Sequence, residues 1–237
     1  MDQDDVLEDM RKVAKFGTVI LWSEVSRIFE GRDRNPSDRY LHALHKALPA
    51  QHWIHLFAGE HETPISIQRR RRKITKSGSV RLHDGKANAS PARHDCWVHT
   101  EELERPEVEL GIHDTHYVSA AFNDVDRPHK DWRRNVWPIG HRVHSDLVRA
   151  GYDAGRTQVG GGDFNRRLRD IPLFHPRMRW HSPTGGIMGI WTLEAPGGAR
   201  VTEVGRDELR LNSDHDALMV ELRLDPPDRD ERRGDAA

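Results

Sequence analysis

The chain has 237 residues, 35% hydrophobic and 32% charged, long enough to bury a core without disulfide or metal staples. Lys plus Arg (37) nearly balances Asp plus Glu (38), for a net charge of -1; this excludes a uniformly basic nucleic-acid coat and a grossly acidic disordered chain. The basic residues are 30 Arg and only 7 Lys, a bias that suits bidentate contacts to phosphate and that a GC-rich genome also produces.

Val6, Met10 and Val13, joined by Leu7 and Ala14, fall at helical spacing. Asp2, Asp4 and Asp5 suit the positive end of that helix, and Gly17 ends it. This acidic opening lacks the basic start and apolar run of a signal peptide. TVILWSEV (18–25) is an apolar, β-branched run that predicts a buried strand ending near Glu24. GRDRNPSDR (31–39) predicts a loop, and a helix is expected from about Asp38 to Leu48. HWIHLF (52–57) and PISIQ (64–68) predict two strands, followed by the basic run QRRRRK (68–73). Residues 76–92, rich in Gly, Ser, Asn and Pro, predict a long loop.

DCWVHTEE (95–102) and EVELGIHDTHYV (107–118) predict two further strands, the second ending in His116. Cys96 is the single cysteine, so no intrachain disulfide can form and a reducing compartment is expected. Residues 131–150 predict a helix with a possible kink at Pro138. RTQVGGGDFN (156–165) reads as a strand entering a turn, and RRLRDIPLFHPRMRW (166–180) as an Arg-rich loop. GIMGIWTLE (186–194) is expected to form a hairpin with ARVTEV (199–204). SDHDALMVELRL (213–224) predicts the last strand, and 225–237 a disordered tail. With no run of 18 apolar residues, the expectation is a cytoplasmic α/β (α+β) domain over 1–224, with no membrane partner and no obligate protein partner.

Three strand ends carry polar clusters: Glu24, Asp163 with Asn165, and Ser213-Asp214-His215. Side chains at strand ends converge on a rim, where sites form. Carboxylates there suit a hard cation, and His and Asn beside them suit phosphoryl oxygens, the inventory of metal-assisted phosphoester hydrolysis. The 16 histidines make pairs such as His42 and His45 expected by chance. The absence of a Cys pair or an HExxH argues against a structural zinc site. Gly160–Gly162 are not followed by the Lys-Ser/Thr of a phosphate loop.

GGDFN (161–165), SDH (213–215), LWSEV (21–25) and DTHYV (114–118), in this order, resemble the motif set of the endonuclease/exonuclease/phosphatase superfamily. The resemblance covers about residues 5–224. It implies a four-layer αββα sandwich of two mostly antiparallel sheets and a Mg²⁺- or Mn²⁺-dependent phosphoesterase. It implies Glu24 as principal metal ligand with Asp214 assisting, and Asp163 orienting or deprotonating the attacking water. Asn165 would bond the scissile phosphate, and His215 would contact it and stabilise the developing charge. His116 matches the family's mid-chain histidine, with His113 its rival.

The Arg-rich loop, with Arg166, Arg167 and Arg169 beside GDFN, favours a nucleic-acid substrate, cleaved as by a nuclease. A small phosphoester is the competing substrate, and a catalytically weak nucleic-acid-binding member of the family is the non-enzymatic alternative. Two departures stand out. The family's first strand, ending in an Asn near the metal, is not found before the first helix. Met188 occupies the place of an Asp that orients the SDH histidine, and a thioether accepts an N–H only weakly; Asp216 is a substitute acceptor.

Overall fold

The computed structural model describes residues 3–23, 37–58, 60–122, 127–183, 185–212 and 216–227. Glu24 and the Ser213-Asp214-His215 triplet lie outside these residues, as does the tail from 228 onward.

The first layer is a helix pair, α1 (Gln3–Ala14) and α2 (Ser37–Ala47). Val6, Leu7 and Met10 of α1 meet Ala43 and Leu44 of α2 over Ile20 and Trp53. Those last two residues belong to a small sheet of β1 (Val19–Leu21), β2 (Trp53–Leu56) and β3 (Ile65–Gln68), ordered β1-β3-β2. Strand alternation places Val19 and Leu21 on the opposite face of β1 from Ile20. They join Ile65 and Ile67 in a second core against Cys96, Val98, Leu110 and Ile112 of the larger sheet.

That larger sheet has six strands: β4 (Arg72–His83), β5 (Arg93–Glu102), β6 (Glu109–His116), β7 (Thr157–Asp163), β8 (Arg179–Trp180) and β9 (Met188–Leu193). Their spatial order is β4-β5-β6-β7-β9-β8. The fourth layer is α3 (Lys130–Asp153), which runs through Pro138 and packs Trp137 and Val148 over Phe164, Phe174 and Trp191. The four layers agree with the expected α/β sandwich.

β6 and β7 are the one parallel pair of the sheet; its other pairs are antiparallel. A parallel pair needs a crossover, which α3 supplies. The consequence is functional: the C-terminal ends of β6 and β7 lie side by side, with His116 and Asp163 as cross-strand partners.

Two expectations fail. Residues 76–92 are not one long loop, because 76–83 belong to β4, a 12-residue strand. Gly and Ser there read as turn formers, but β4 is the sheet's edge strand, where polar residues face water. Gly78 instead admits the Trp97 indole, which a Cβ would approach to 2.7 Å. The hairpin expected between 186–194 and 199–204 also does not form. β9 has β7 on one side and β8 on the other. The 199–204 stretch therefore enters β10 (Arg200–Leu209), which pairs with β11 (Ala217–Asp225) as a separate two-stranded sheet. The Arg-rich loop is also more ordered than its composition suggests: it contains a 3-10 turn, Leu168–Asp170, and buries Leu168, Ile171, Phe174 and Met178.

Gly162, just before Asp163, has φ +139°, and a Cβ there would lie 1.8 Å from the Thr115 carbonyl oxygen of β6. Only glycine lets the two strand ends come this close. Gly162→Ala is expected to cost about 3 kcal/mol of stability, read by urea denaturation, from strain and overlap with backbone.

Candidate active site at the ends of β6 and β7

Alternation along β6 sends Leu110, Ile112, Asp114 and His116 toward the space between the sheets, and His113 and Thr115 toward α3. This separates the two rival histidines. His116 stands at the rim, its Nε2 3.9 Å from Asp163 Oδ2. His113 is buried on the far face, bonded to Asp95 and Gln158.

The turn after β7 is pinned from several sides. Asn165 has φ +51°, and its backbone N–H donates to Asp163 Oδ1 at 2.8 Å. Asn is among the residues that tolerate this left-handed conformation. The Asn165 side-chain amide donates to the Tyr117 carbonyl at 2.9 Å, while Tyr117 N donates to the Asp163 carbonyl. Trp137 Nε1 of α3 donates to Phe164 O, and Phe164 N to Ile187 O. The chain thus fixes the Asp163 carboxylate and the Asn165 amide beside His116.

His116 has two neighbours that its motif does not announce. Arg93 Nη1 lies 2.9 Å from His116 Nδ1, and Glu62 Oε1 lies 3.4 Å from the same nitrogen. Arg93 also pairs directly with Glu62. An arginine can only donate, so His116 Nδ1 accepts and the ring proton is assigned to Nε2, the nitrogen facing Asp163. The sequence held one usable signal. β5 and β6 are antiparallel with Asp95 opposite Thr115; counting back along that hairpin puts Arg93 at the His116 end.

β1 enters the rim from the other sheet. Trp22 N donates to Asp114 Oδ2 and Trp22 Nε1 to Ser66 Oγ, both at 2.9 Å. The described chain stops at Ser23, one residue before Glu24. Asp114 is fully buried, and loss of solvent pushes its carboxyl well above the ordinary carboxylate range, against the opposing Trp22 N–H bond. A carboxyl with a raised folded-state pKa favours the fold most at low pH, and that contribution is lost as pH rises from the ordinary value through the folded one. Asp114→Asn keeps an oxygen for Trp22 N but cannot ionise. The melting temperature of Asp114→Asn minus that of the wild type is therefore expected to grow as pH rises above about 4, in paired melts across pH; a constant difference contradicts this.

On the SDH side, Asn212 N donates to both carboxylate oxygens of Asp9 on α1, at 2.9 and 3.0 Å, and Asn212 Nδ2 donates to Asp9 Oδ1. The first helix therefore anchors the segment leading into 213–215. Met188 is the cross-strand partner of Asp163. Asp216 Oδ1 accepts from Leu211 N at 3.0 Å.

Of the three arginines expected to grip substrate, Arg166 is the most defined. Its guanidinium lies 4.3 Å from the Phe122 ring centre and 4.9 Å from that of Trp137. Arg167 is exposed, and Arg169 is exposed with a 4.0 Å approach to Asp170. The described rim thus brings together His116, Asp163, Asn165 and Arg166. It offers carboxylate and amide oxygens, which fit a hard divalent cation; the resemblance assigns Glu24 and Asp214 to hold it. Among the described residues no helix is long and apolar enough to cross a membrane.

No family model matches the sequence, and no curated protein sequence matches it. Solved structures do match. The endonuclease/exonuclease/phosphatase protein of Bacteroides vulgatus is 12% identical, with TM-score 0.66 over 94% of this chain and 91% of that one. D. rerio TDP2, solved with a single-strand DNA product, is 12% identical, with TM-score 0.68 over 94% and 93%. The mannosyl-6-phosphatase of Bacteroides thetaiotaomicron is 13% identical, with TM-score 0.59 over 93% and 91%. Helix pair, small sheet, six-stranded sheet and covering helix are thus the endonuclease/exonuclease/phosphatase fold, in agreement with the resemblance read from GDFN and SDH.

Proposed function

We propose that the protein is a metal-dependent phosphodiesterase that hydrolyses nucleic acid. The observation that carries this reading is the placement of His116 and Asp163 as cross-strand partners at one rim, with the Asn165 amide fixed beside them. In this reading Asp163 orients the attacking water and takes its proton. Asn165 and the Nε2–H of His116 donate to phosphoryl oxygens, and His215 stabilises the charge that develops at phosphorus. A Mg²⁺ or Mn²⁺ ion held by Glu24 and Asp214 supplies Lewis-acid polarisation of the phosphoryl group when bound.

Nucleic acid is preferred over a small phosphoester for a physical reason. Arg166 stacks on Phe122 and Trp137 immediately after the GDFN turn, a combination of cation and aromatic faces that suits a sugar-phosphate backbone and its bases. A second cleft, lined by Lys86, Arg127, His129, Lys130, Asp131 and Trp132, carries more basic than acidic side chains. Arg133 ties the segment at Pro128 to neighbouring loops, donating to Ser119 O and Pro128 O and reaching Ala89 O. The solved relatives include both a DNA-complexed protein and a sugar phosphatase, so fold alone does not choose.

The test is a substrate panel: plasmid DNA, single-stranded DNA, RNA, bis-nitrophenyl phosphate and a sugar monophosphate, with Mg²⁺ or Mn²⁺ at graded salt. Nucleic-acid cleavage with KM rising with salt is expected, and Arg166→Ala should raise KM for nucleic acid while sparing the small diester. Turnover confined to the monophosphate supports the small-substrate alternative instead. Salt-dependent binding without turnover supports the binding-only one.

A further inference from the structure

On the far face of the six-stranded sheet, under α3, lies a second group of polar side chains that the rim does not use. Asp95 on β5 and His144 on α3 are fully buried, and His113 on β6 nearly so. Their surroundings are apolar: Trp191 and Phe174 lie against the imidazoles, with Phe164 stacked on His144. A carboxylate in such a place is costly unless positive charge compensates it.

Proton accounting shows where that charge is missing. The Gln158 amide nitrogen donates to Arg156 O, which turns its Oε1 toward His113 Nε2 at 3.0 Å. An amide oxygen only accepts, so His113 carries its proton on Nε2. The Nδ1 of a neutral His113 is then a bare lone pair, 2.9 Å from Asp95 Oδ2. Asp95 Oδ1 and His144 Nε2 lie 3.6 Å apart, and both lack a hydrogen-bond partner among the described residues. Tyr117 Oη lies 2.9 Å from His144 Nδ1 and holds that ring from the other side.

The surroundings are built to keep this arrangement. A Cβ on Gly111 would lie 2.1 Å from the Gln158 side chain, and one on Gly151 2.6 Å from it. A Cβ on Gly160 would strike Trp191 at 2.4 Å and lie 3.0 Å from His113 Cβ. Three glycines on two strands and a helix thus clear space for the glutamine and the tryptophan that position one histidine.

We propose that Asp95, His113 and His144 bind one divalent transition-metal ion of the zinc class, at a structural site separate from the catalytic rim. The donor atoms lie within 4.8 Å of one another. Tetrahedral zinc with bonds of about 2.0–2.1 Å places its ligands about 3.3 Å apart; Asp95 Oδ2 stands 2.9 Å from His113 Nδ1 and Asp95 Oδ1 3.6 Å from His144 Nε2, so each carboxylate oxygen faces one imidazole. With Tyr117 Oη at His144 Nδ1, the nitrogen left to ligate is Nε2, which faces Asp95. Two imidazoles and a carboxylate suit zinc better than magnesium, which prefers oxygen alone. Chelation by both Asp95 oxygens, with their narrow bite, makes the site four-coordinate but distorted from a regular tetrahedron. One ion fills the bare Nδ1, the unpartnered Oδ1 and the unpartnered Nε2 together, and ties β5, β6 and α3 into one unit. No local motif announces the site, because its three ligands come from three separate elements.

The test is titration of chelator-treated protein with Co²⁺. The wild type is expected to show the intense visible absorption of four-coordinate cobalt, saturating at a single equivalent and bleached by Zn²⁺. Asp163→Asn should keep this signal and His144→Asn should lose it. An oxygen-rich rim site gives six-coordinate cobalt and far weaker absorption, so the two sites are distinguished and the result does not depend on catalysis. Zn²⁺ should also raise the melting temperature of the wild type. If His144→Asn does not fold, the wild-type titration decides alone. Folded wild type with no four-coordinate cobalt signal and no melting response to Zn²⁺ overturns the proposal. A nitrogen-15 spectrum showing His113 protonated on both nitrogens in metal-free and Zn²⁺-treated protein alike also overturns it, and identifies a buried imidazolium–Asp95 pair instead.

Discussion

Asp163→Asn is expected to lower kcat for phosphodiester hydrolysis about 10³-fold, the scale of losing a positioned base or its charge, while leaving the melting temperature nearly unchanged. The two halves follow from one geometry. Asp163 Oδ1 accepts from the backbone N–H of Asn165, and an asparagine oxygen can accept the same bond, so the turn after β7 survives. What disappears is negative charge at the rim, beside His116 Nε2 at 3.9 Å, and with it the capacity to take a proton from water. A parallel measurement of kcat and of thermal melting separates the outcomes. Loss of activity together with loss of fold makes Asp163 a turn residue, and retained activity removes it from the mechanism.

Arg93→Leu is expected to lower kcat about 10- to 100-fold with little change in KM, the size found when a partner that orients an active-site histidine is removed. Arg93 is buried. It acts by donating to His116 Nδ1, which leaves the proton on the nitrogen facing Asp163. The same substitution removes the guanidinium partner of the Glu62 carboxylate, whose side chain is 18% exposed and also lies 3.4 Å from His116 Nδ1. Breaking a buried ion pair costs about 3–5 kcal/mol, and partial exposure reduces this to about 2–3 kcal/mol. Arg93→Lys keeps a donor and a charge and should recover part of both losses. A purely structural Arg93 would lower stability without the kcat loss, read on folded protein well below its melting temperature.

The sequence carried the fold where periodicity and strand-end chemistry coincided. The helix near residue 140 follows from its apolar spacing, and β7 from a run that closes on Gly-Asp-Phe-Asn. β4 was hidden because Gly78 and its neighbouring serines look like loop residues until Trp97 is seen to need the space. The pairing of β10 with β11 was hidden because strand partners are decided by which edges are free, and β9 has none left. That Asp163, Asn165 and His116 would come together at one rim was legible from motif and position. Glu62 was not, and Arg93 only by counting back along the β5–β6 hairpin, since their contribution is made through a third residue across two strands. The alternation of β6 resolved what spacing alone left open: His116 comes three positions after His113, and an odd offset in a strand puts them on opposite faces.

The rim also changes how the balanced net charge is read. Acidic residues lie along α1, while Arg166 stands at the GDFN turn and Lys86, Arg127 and Lys130 outnumber Asp131 in a second cleft. Local field rather than total charge meets the ligand, and its reach is about 8–10 Å at moderate salt.

The proposed reaction is metal-supported attack of water on a phosphodiester at this rim. Its most direct test is the rate of DNA and bis-nitrophenyl phosphate hydrolysis by wild-type and Asp163→Asn protein, each with Mg²⁺ or Mn²⁺ and with chelator. The account predicts turnover by the wild type with metal, abolished by chelation and reduced about 10³-fold by Asp163→Asn. Hydrolysis that persists through both chelation and Asp163→Asn would contradict it.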